Sequence, residues 1–482
     1  MSNWLALDKR SLGLLRILFG LLLALDVLLR GLHFRAFYTS EGIIPLKVYL
    51  LTTSLEQRRW SLFYGNDTPL IVGLVLVLFF FAALALAAGY RTRLVGWICL
   101  ILLLGVYRRN PIANNGGDAY IPLILMWCNF IPWGEAFSVD SNRELDEDKA
   151  RYSALPGFFY LIQVGILYWF SAVLRTGPEW QVDFSALYYA LHIDTLNTGL
   201  APYLLLMGTD LLALITFLTI VLEMVGPVLL LVPNAASRTL GVLLIMAFHL
   251  GILVTLLIPI FALACTIAPL GLLPSAVWES KLGVRLEAFL RGLFERLRVR
   301  FPRLVAPPAR EDSRAAAVSR KIYPWLTVPI MVLSLLHLNW GVRKPTERFF
   351  LSNLVKQFSL DQFWGMFSPS PVREMHWQSV RALTESGEEI NLVTGKKYST
   401  RLQDFRNSTT LPDYRWRVFL QNPAMSQRSY PQLYLNYVIK EWDREHPDNR
   451  VVAAQFVSQR RSNPPHFLLG EVSQLVLAEY HR

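Results

Sequence analysis

Cysteine is scarce: among 482 residues there are three, Cys99, Cys128 and Cys265. Each lies inside an apolar run, so they read as small buried residues and not as a disulfide framework or a zinc site. No Cys-x-x-Cys pair occurs. The C-terminal part has no cysteine, so a domain exported there must fold without disulfides. Charge is scarce too. Asp, Glu, Lys and Arg make up 17% of the chain, against about 25% in soluble domains. There is no phosphate loop, nucleophile elbow, His-Glu-x-x-His helix, Gly-x-Gly-x-x-Gly turn or haem-attachment motif. The chain thus has no self-sufficient catalytic motif, and a dinucleotide enzyme is disfavoured.

What fills the chain instead is apolar. Hydrophobic residues make up 53% and the mean hydropathy is +0.34. A membrane span needs about 20 apolar residues. Clear candidates are Leu12–Leu29, Leu70–Gly89, Leu155–Leu174, Leu206–Val232, Leu240–Ile258 and Ile322–Trp340. Shorter candidates are Leu94–Tyr107, Tyr120–Trp133 and Pro259–Leu273. Together they predict an α-helical polytopic membrane domain of about nine spans over residues 1–341. Lys9 and Arg10 precede the first run, but no small-residue cleavage site follows it, so it reads as a retained span. Residues 342–482 hold no run long enough to span. Short β-like pieces over Val372–Val393, helical spacing over Leu433–Arg444 and strands at Val451–Gln459 and Val472–Leu477 predict a small α+β domain outside the membrane.

The net charge is +11, and where the charge lies decides its meaning. Eleven Lys and Arg fall within Lys281–Lys321, between apolar runs, as in a cytoplasmic loop. Nucleic acid is disfavoured as a partner. With nine spans, a cytoplasmic N-terminus leaves this basic loop inside and the C-terminal domain outside an inner (plasma) membrane. Leu282–Val299 reads either as an amphipathic basic helix on the inner leaflet or as a flexible tether.

Six ionisable residues fall in or near the spans: Arg16, Asp26, Asp210, Glu223, His249 and His337. Such groups are functional candidates by default. Asp26 and Arg30, four apart, predict a local ion pair. Glu223 and His249 lie mid-span, and each is read as a polar site or as a satisfied structural hydrogen bond. Tyr168–Trp180 runs an apolar helix into Arg175, then Gly177-Pro178, then Trp180. This predicts a helix ending at a bilayer surface with a cation, a breaker and an indole together. The plainer reading is a snorkelling Arg175 and an aromatic belt with Trp169. Asp118, in the turn Asn114-Asn115-Gly116-Gly117-Asp118, is a turn residue first and a candidate ligand second.

The order of motifs resembles the HTTM family, the horizontally transferred transmembrane domain that includes the vitamin K-dependent gamma-carboxylases. The pieces run from Ser11-Leu12-Gly13-Leu14-Leu15-Arg16-Ile17 through Phe37–Pro45, Gly89–Arg93, Asn114–Asp118, Phe137–Asp140 and Tyr168–Trp180. They continue through Ala186–Tyr189, Glu223–Pro227, His249–Ile252 and Phe363–Phe367. The resemblance implies a membrane protein that binds a quinone-like (vitamin K-like) or lipid-like molecule and an exported protein or peptide. It also implies a base lysine shortly before a tryptophan and a histidine beside the Asn-Asn turn. Here Trp180 looks like that tryptophan and Arg175 stands in the lysine's place. Gly116 and Gly117 occupy the histidine's neighbourhood. A guanidinium stays protonated and is a poor proton abstractor, so the expectation is a non-carboxylating relative. The alternative is a gamma-carboxylase-like enzyme modifying protein glutamate with a quinol cofactor. The candidate ligand- or partner-binding residues are Arg175, Trp180, Asp118, Glu223 and His249. No catalytic residue and no metal site is assigned.

Overall fold

The computed structural model describes residues 6–53, 58–140, 150–193, 196–302, 322–338, 352–399, 413–422, 429–464 and 466–482. Twelve helices and one main sheet carry the argument. The helices are α1 (Lys9–Gly31), α2 (Pro69–Ala88), α3 (Thr92–Arg109), α4 (Gly116–Phe130), α5 (Leu155–Leu174), α6 (Thr209–Leu231), α7 (Ala235–Thr255), α8 (Pro259–Ile267), α9 (Lys281–Arg300), α10 (Thr327–Leu336), α11 (Tyr414–Gln421) and α12 (Ser429–Glu445). Among the described residues, α1, α2, α5, α6 and α7 are long and apolar enough to cross a membrane. The remaining candidates are shorter or more polar. The apolar run Ile322–Trp340 predicts a full span, but its described helix is the ten residues of α10, about 15 Å at 1.5 Å per residue. Pro324 and Pro329 flank its start, and proline disfavours helix in the residue before it. Trp340 lies outside the described residues.

Local chemistry sets the helix ends. Asp8 caps α1 by accepting from Arg10 N at 2.8 Å. Pro69 opens α2, where its missing N–H costs nothing. Gly89 closes that helix with φ +74°, a left-handed conformation that glycine adopts without steric cost. Asn115 and Asp118 form a reciprocal capping box on α4. Asn234 caps α7 through Ala236 N and Ser237 N.

The polar C-terminal region forms an antiparallel sheet of β1 (Glu374–Thr384), β2 (Glu389–Asn391), β3 (Lys396–Lys397), β4 (Val451–Ser462) and β5 (Val472–His481), in the order β3-β2-β1-β4-β5. The β1–β4 pair is long, running from Glu374 opposite Ser462 to Thr384 opposite Val451. Gly387, at φ +78°, turns the chain between β1 and β2. Helix α12 covers the sheet, burying Tyr434, Leu435 and Ile439, with Tyr434 on Phe456 at 4.9 Å.

The sheet region and α9 lie at opposite ends of the bundle. Trp278, just before α9, donates to Ser11 Oγ at the start of α1 (2.7 Å). Arg10 at the same end reaches Glu287 of α9 (3.0 Å). At the far end, Arg415 of α11 meets Asp26, near the end of α1, at 3.0 Å. The chain leading into the sheet also enters the bundle. Gln362 bonds Gln163, midway along α5, at 2.8 Å, and Trp364 is fully buried against Tyr120 of α4.

Candidate functional site

Helix α5 ends at Arg175, and the chain beyond it is pinned by Gly177. Gly177 N donates to Pro369 O at 2.8 Å, and a Cβ on Gly177 would sit 2.7 Å from that same oxygen. A side chain there would push the two segments apart. The short turn Pro178–Gln181 then brings Trp180 back under Arg175, with the guanidinium 4.1 Å from the indole centroid. Trp180 Nε1 donates to Phe367 O at 2.7 Å.

This corrects the surface-anchor reading of the stretch. Arg175 is 5% exposed and Trp180 6%, so neither is a snorkelling cation or a belt residue. Arg175 forms a buried ion pair with Glu223, which stands fifteenth in the 23 residues of α6. The carboxylates nearest Arg175 in sequence are engaged elsewhere. Glu179 faces Arg373 at 3.4 Å, and Asp183 accepts from Ser185 Oγ at 2.7 Å.

Beside this pair lies a cavity of about 280 Å³. Its walls are mainly apolar: Leu167 and Tyr168 of α5, Phe248, Ile252 and Leu256 around α7, Phe261 of α8, and Met366, Phe367 and Val418 from the C-terminal region. The polar lining is Asn115, Arg175, Glu223 and His249. His249 is 1% exposed. Its ring is surrounded by Phe248, Tyr168 and Phe261 at 5.0, 5.6 and 5.7 Å. Among the described residues neither ring nitrogen has a hydrogen-bond partner. A buried polar atom left unpaired costs about 1–3 kcal/mol.

Four of the five sequence candidates thus converge: Arg175, Glu223 and His249 line the cavity, and Trp180 supports Arg175 from below. Asp118 does not join them. It belongs to a second buried cluster, where it pairs with Arg30 and faces Arg415 at 3.6 Å. Its Oδ2 accepts from Asn115 N at 2.7 Å, as a helix cap does. In the same cluster Arg30 Nε binds Asp26 at 2.7 Å, as their spacing predicted. Tyr107 donates to Asp26 at 2.9 Å and Arg30 to Tyr38 at 2.7 Å. Arg415 was missed in the sequence because it sits in a polar segment that resembles a solvated helix. The available signal was a charge count: Asp26 and Asp118 against Arg30 leave one negative charge without a cation.

A second cleft, of about 440 Å³, lies between the sheet and the bundle. Glu374, His376, Gln378, Ser458 and Arg460 line its sheet side. It shares Leu196, Phe367 and Val372 with the inner cavity. Burial pulls the His376 imidazole below its ordinary value of 6.5, and Arg460 adds to this. Among the described residues no group of three or more His, Cys, Asp or Glu side chains could hold a metal ion. Comparison with protein-family models, with curated proteins and with solved structures gave no match.

Proposed function

We propose that the protein is a plasma (inner) membrane protein whose intramembrane cavity binds a small quinone-like or lipid-like molecule, without carboxylating a substrate. The observation that carries this reading is His249: a buried imidazole, on the wall of an apolar cavity, with both nitrogens unpartnered. A ligand carbonyl or hydroxyl would satisfy it, while an apolar ring would fill the space between Phe248, Phe261 and Ile252. Size narrows the class. Pockets for drug-sized ligands span roughly 300–1,000 Å³, and about 280 Å³ falls just below that range. The cavity suits one ring system with its first substituents, and a longer tail would extend into the bilayer. Arg175, already neutralised by Glu223, is a fixed donor in this reading and not a proton abstractor.

The motif order that resembles the HTTM family supports the same ligand class. In the same reading α3, α4, and the short helices α8 and α10 taken with the apolar residues that flank them, complete nine crossings with the five long helices. The N-terminus and α9 are cytoplasmic, because α9 and the segment after it carry the eleven cations. Arg303, Arg310, Arg314, Arg320 and Lys321 of that set lie outside the described residues. The sheet region is then outside, and the cleft beside the cavity gives an exported protein or peptide access to it.

Extraction of the purified protein followed by lipid mass spectrometry tests the ligand reading. One quinone-like or lipid-like species should co-purify near stoichiometry, and His249→Phe should reduce it several-fold while the protein stays folded. Equal retention by the two proteins would overturn the assignment.

A further inference from the structure

Helix α9 has two apolar stripes, and the protein buries one of them. Gly283, Leu290 and Phe294 face inward and pack with Ala136, Phe137, Val139 and Trp278. Phe294 also lies under Arg16 of α1 at 5.7 Å, and Arg298 donates to Ser138 O at 2.9 Å. The second stripe is Leu282, Leu286, Phe289 and Leu293. Their spacing of four, three and four places them on one helix face. They are 77%, 36%, 65% and 41% exposed. Burying one stripe does not require the other, so the second needs its own explanation.

Charge and position supply it. Arg285 sits one turn from both Leu282 and Phe289, and Arg296 one turn from Leu293. Arg300 lies two turns beyond Leu293. All three are exposed. An apolar stripe edged by arginines matches a lipid surface, with acyl chains under the leucines and phosphates beside the guanidinium groups. The helix lies where the bilayer boundary has to fall. Its Glu287 pairs with Arg10 at the start of α1, and its Leu290 and Phe294 pack in one cluster with Phe137 of the turn beyond α4; Trp278, just before the helix, bonds Ser11 of α1. A helix lying against the bundle at that level turns one face to the protein and the adjacent face to lipid.

We propose that α9 is an interfacial helix that binds anionic phospholipid, with Leu282, Leu286, Phe289 and Leu293 in the acyl region and Arg285, Arg296 and Arg300 on the headgroups. The inference needs only that the apolar helices sit in a bilayer, and it stands apart from the ligand assigned to the cavity.

The test uses the full chain in nanodiscs of phosphatidylcholine with and without phosphatidylglycerol. Spin labels are placed singly through Phe289→Cys, Leu293→Cys, Ala288→Cys and Glu295→Cys; the three native cysteines are buried. Labels at 289 and 293 should be accessible to oxygen and shielded from a water-soluble nickel chelate. Labels at 288 and 295, on the opposite face, should show the reverse. Equal nickel accessibility at all four positions would overturn the acyl contact. Concentration-dependent spin–spin broadening at 289 would overturn it too, by assigning the stripe to a second copy of the chain. For the headgroups, native mass spectrometry should show preferential retention of phosphatidylglycerol, lowered several-fold by the combined Arg285→Gln, Arg296→Gln and Arg300→Gln changes. Unchanged preference would overturn the headgroup contact.

Discussion

Two buried charge clusters stand near the same end of the bundle, and they are finished differently. In the cluster of Asp26, Arg30, Asp118 and Arg415, two acids balance two bases. All four carboxylate oxygens have a donor or a close cation: Arg30 and Tyr107 on Asp26 Oδ2, Arg415 on Asp26 Oδ1, Arg30 on Asp118 Oδ1, and Asn115 N with Arg415 on Asp118 Oδ2. In the cluster at the cavity, Glu223 bonds Arg175 through Oε2, and among the described residues neither His249 nitrogen has a hydrogen-bond partner. A network whose carboxylates are all met rigidifies a fold. One left incomplete beside a cavity marks a place where local consistency gives way to function. By this contrast the first cluster ties the C-terminal region to the bundle, and the second is the site proposed to take a ligand.

The comparison breaks most visibly at Arg415. Arg415→Leu strands two buried carboxylates on one arginine, and removing one partner of a buried pair costs about 3–5 kcal/mol. Thermal unfolding in detergent should show a large loss, with partial recovery when Asp118→Asn is added. A variant as stable as the parent would remove the structural role assigned to the cluster.

Arg175→Ala should cost less stability, because the Glu223 carboxyl can take up a proton and become neutral. Its main effect should be on the ligand: bound lipid or quinone falls while the folded fraction survives. Arg175→Lys should recover only part of the binding, since an ammonium lacks the planar fork of donors. A stable Arg175→Ala protein with undiminished ligand would assign this pair to structure alone. Protein glutamate carboxylation gained by Arg175→Lys would instead support the enzyme alternative.

The smallest effect expected lies outside both clusters. His376 and His192 are both held below the ordinary value of 6.5, first by burial. As pH falls through 6.5 the unfolded chain takes up these protons before the folded one, so stability falls with acidification and is level above that window. Thermal unfolding between pH 7.5 and 5.5, on the order of one unit either side of that value, should show the decline. His376→Gln should flatten it. A rise in stability on acidification would contradict the assignment.

Much of the scaffold was legible because it is local. The apolar run at Leu155–Leu174 is the helix found, and the Asp26–Arg30 spacing gives the ion pair found. The strands at Val451 and Val472 begin where β-branched residues predicted, though each runs farther than the apolar signal. The site was legible only as separate members. Arg175 and Glu223 are 48 residues apart, so a guanidinium at a helix end looked like an interfacial anchor. Trp180 looked amphipathic because nothing in its neighbours reveals that Phe367, 187 residues on, accepts its N–H. Gln362 gave no sequence signal, because two glutamines meeting across 199 residues leave no periodic trace.

The most direct measurement is a cryo-EM map of the protein held in nanodiscs cut from its own membrane, without detergent extraction. The account predicts density for a ring-bearing molecule between Phe248, Phe261 and Ile252, with a polar atom about 3 Å from a His249 nitrogen. A map that resolves these side chains around an empty cavity, or around a purely apolar acyl chain with His249 still unpartnered, would contradict it.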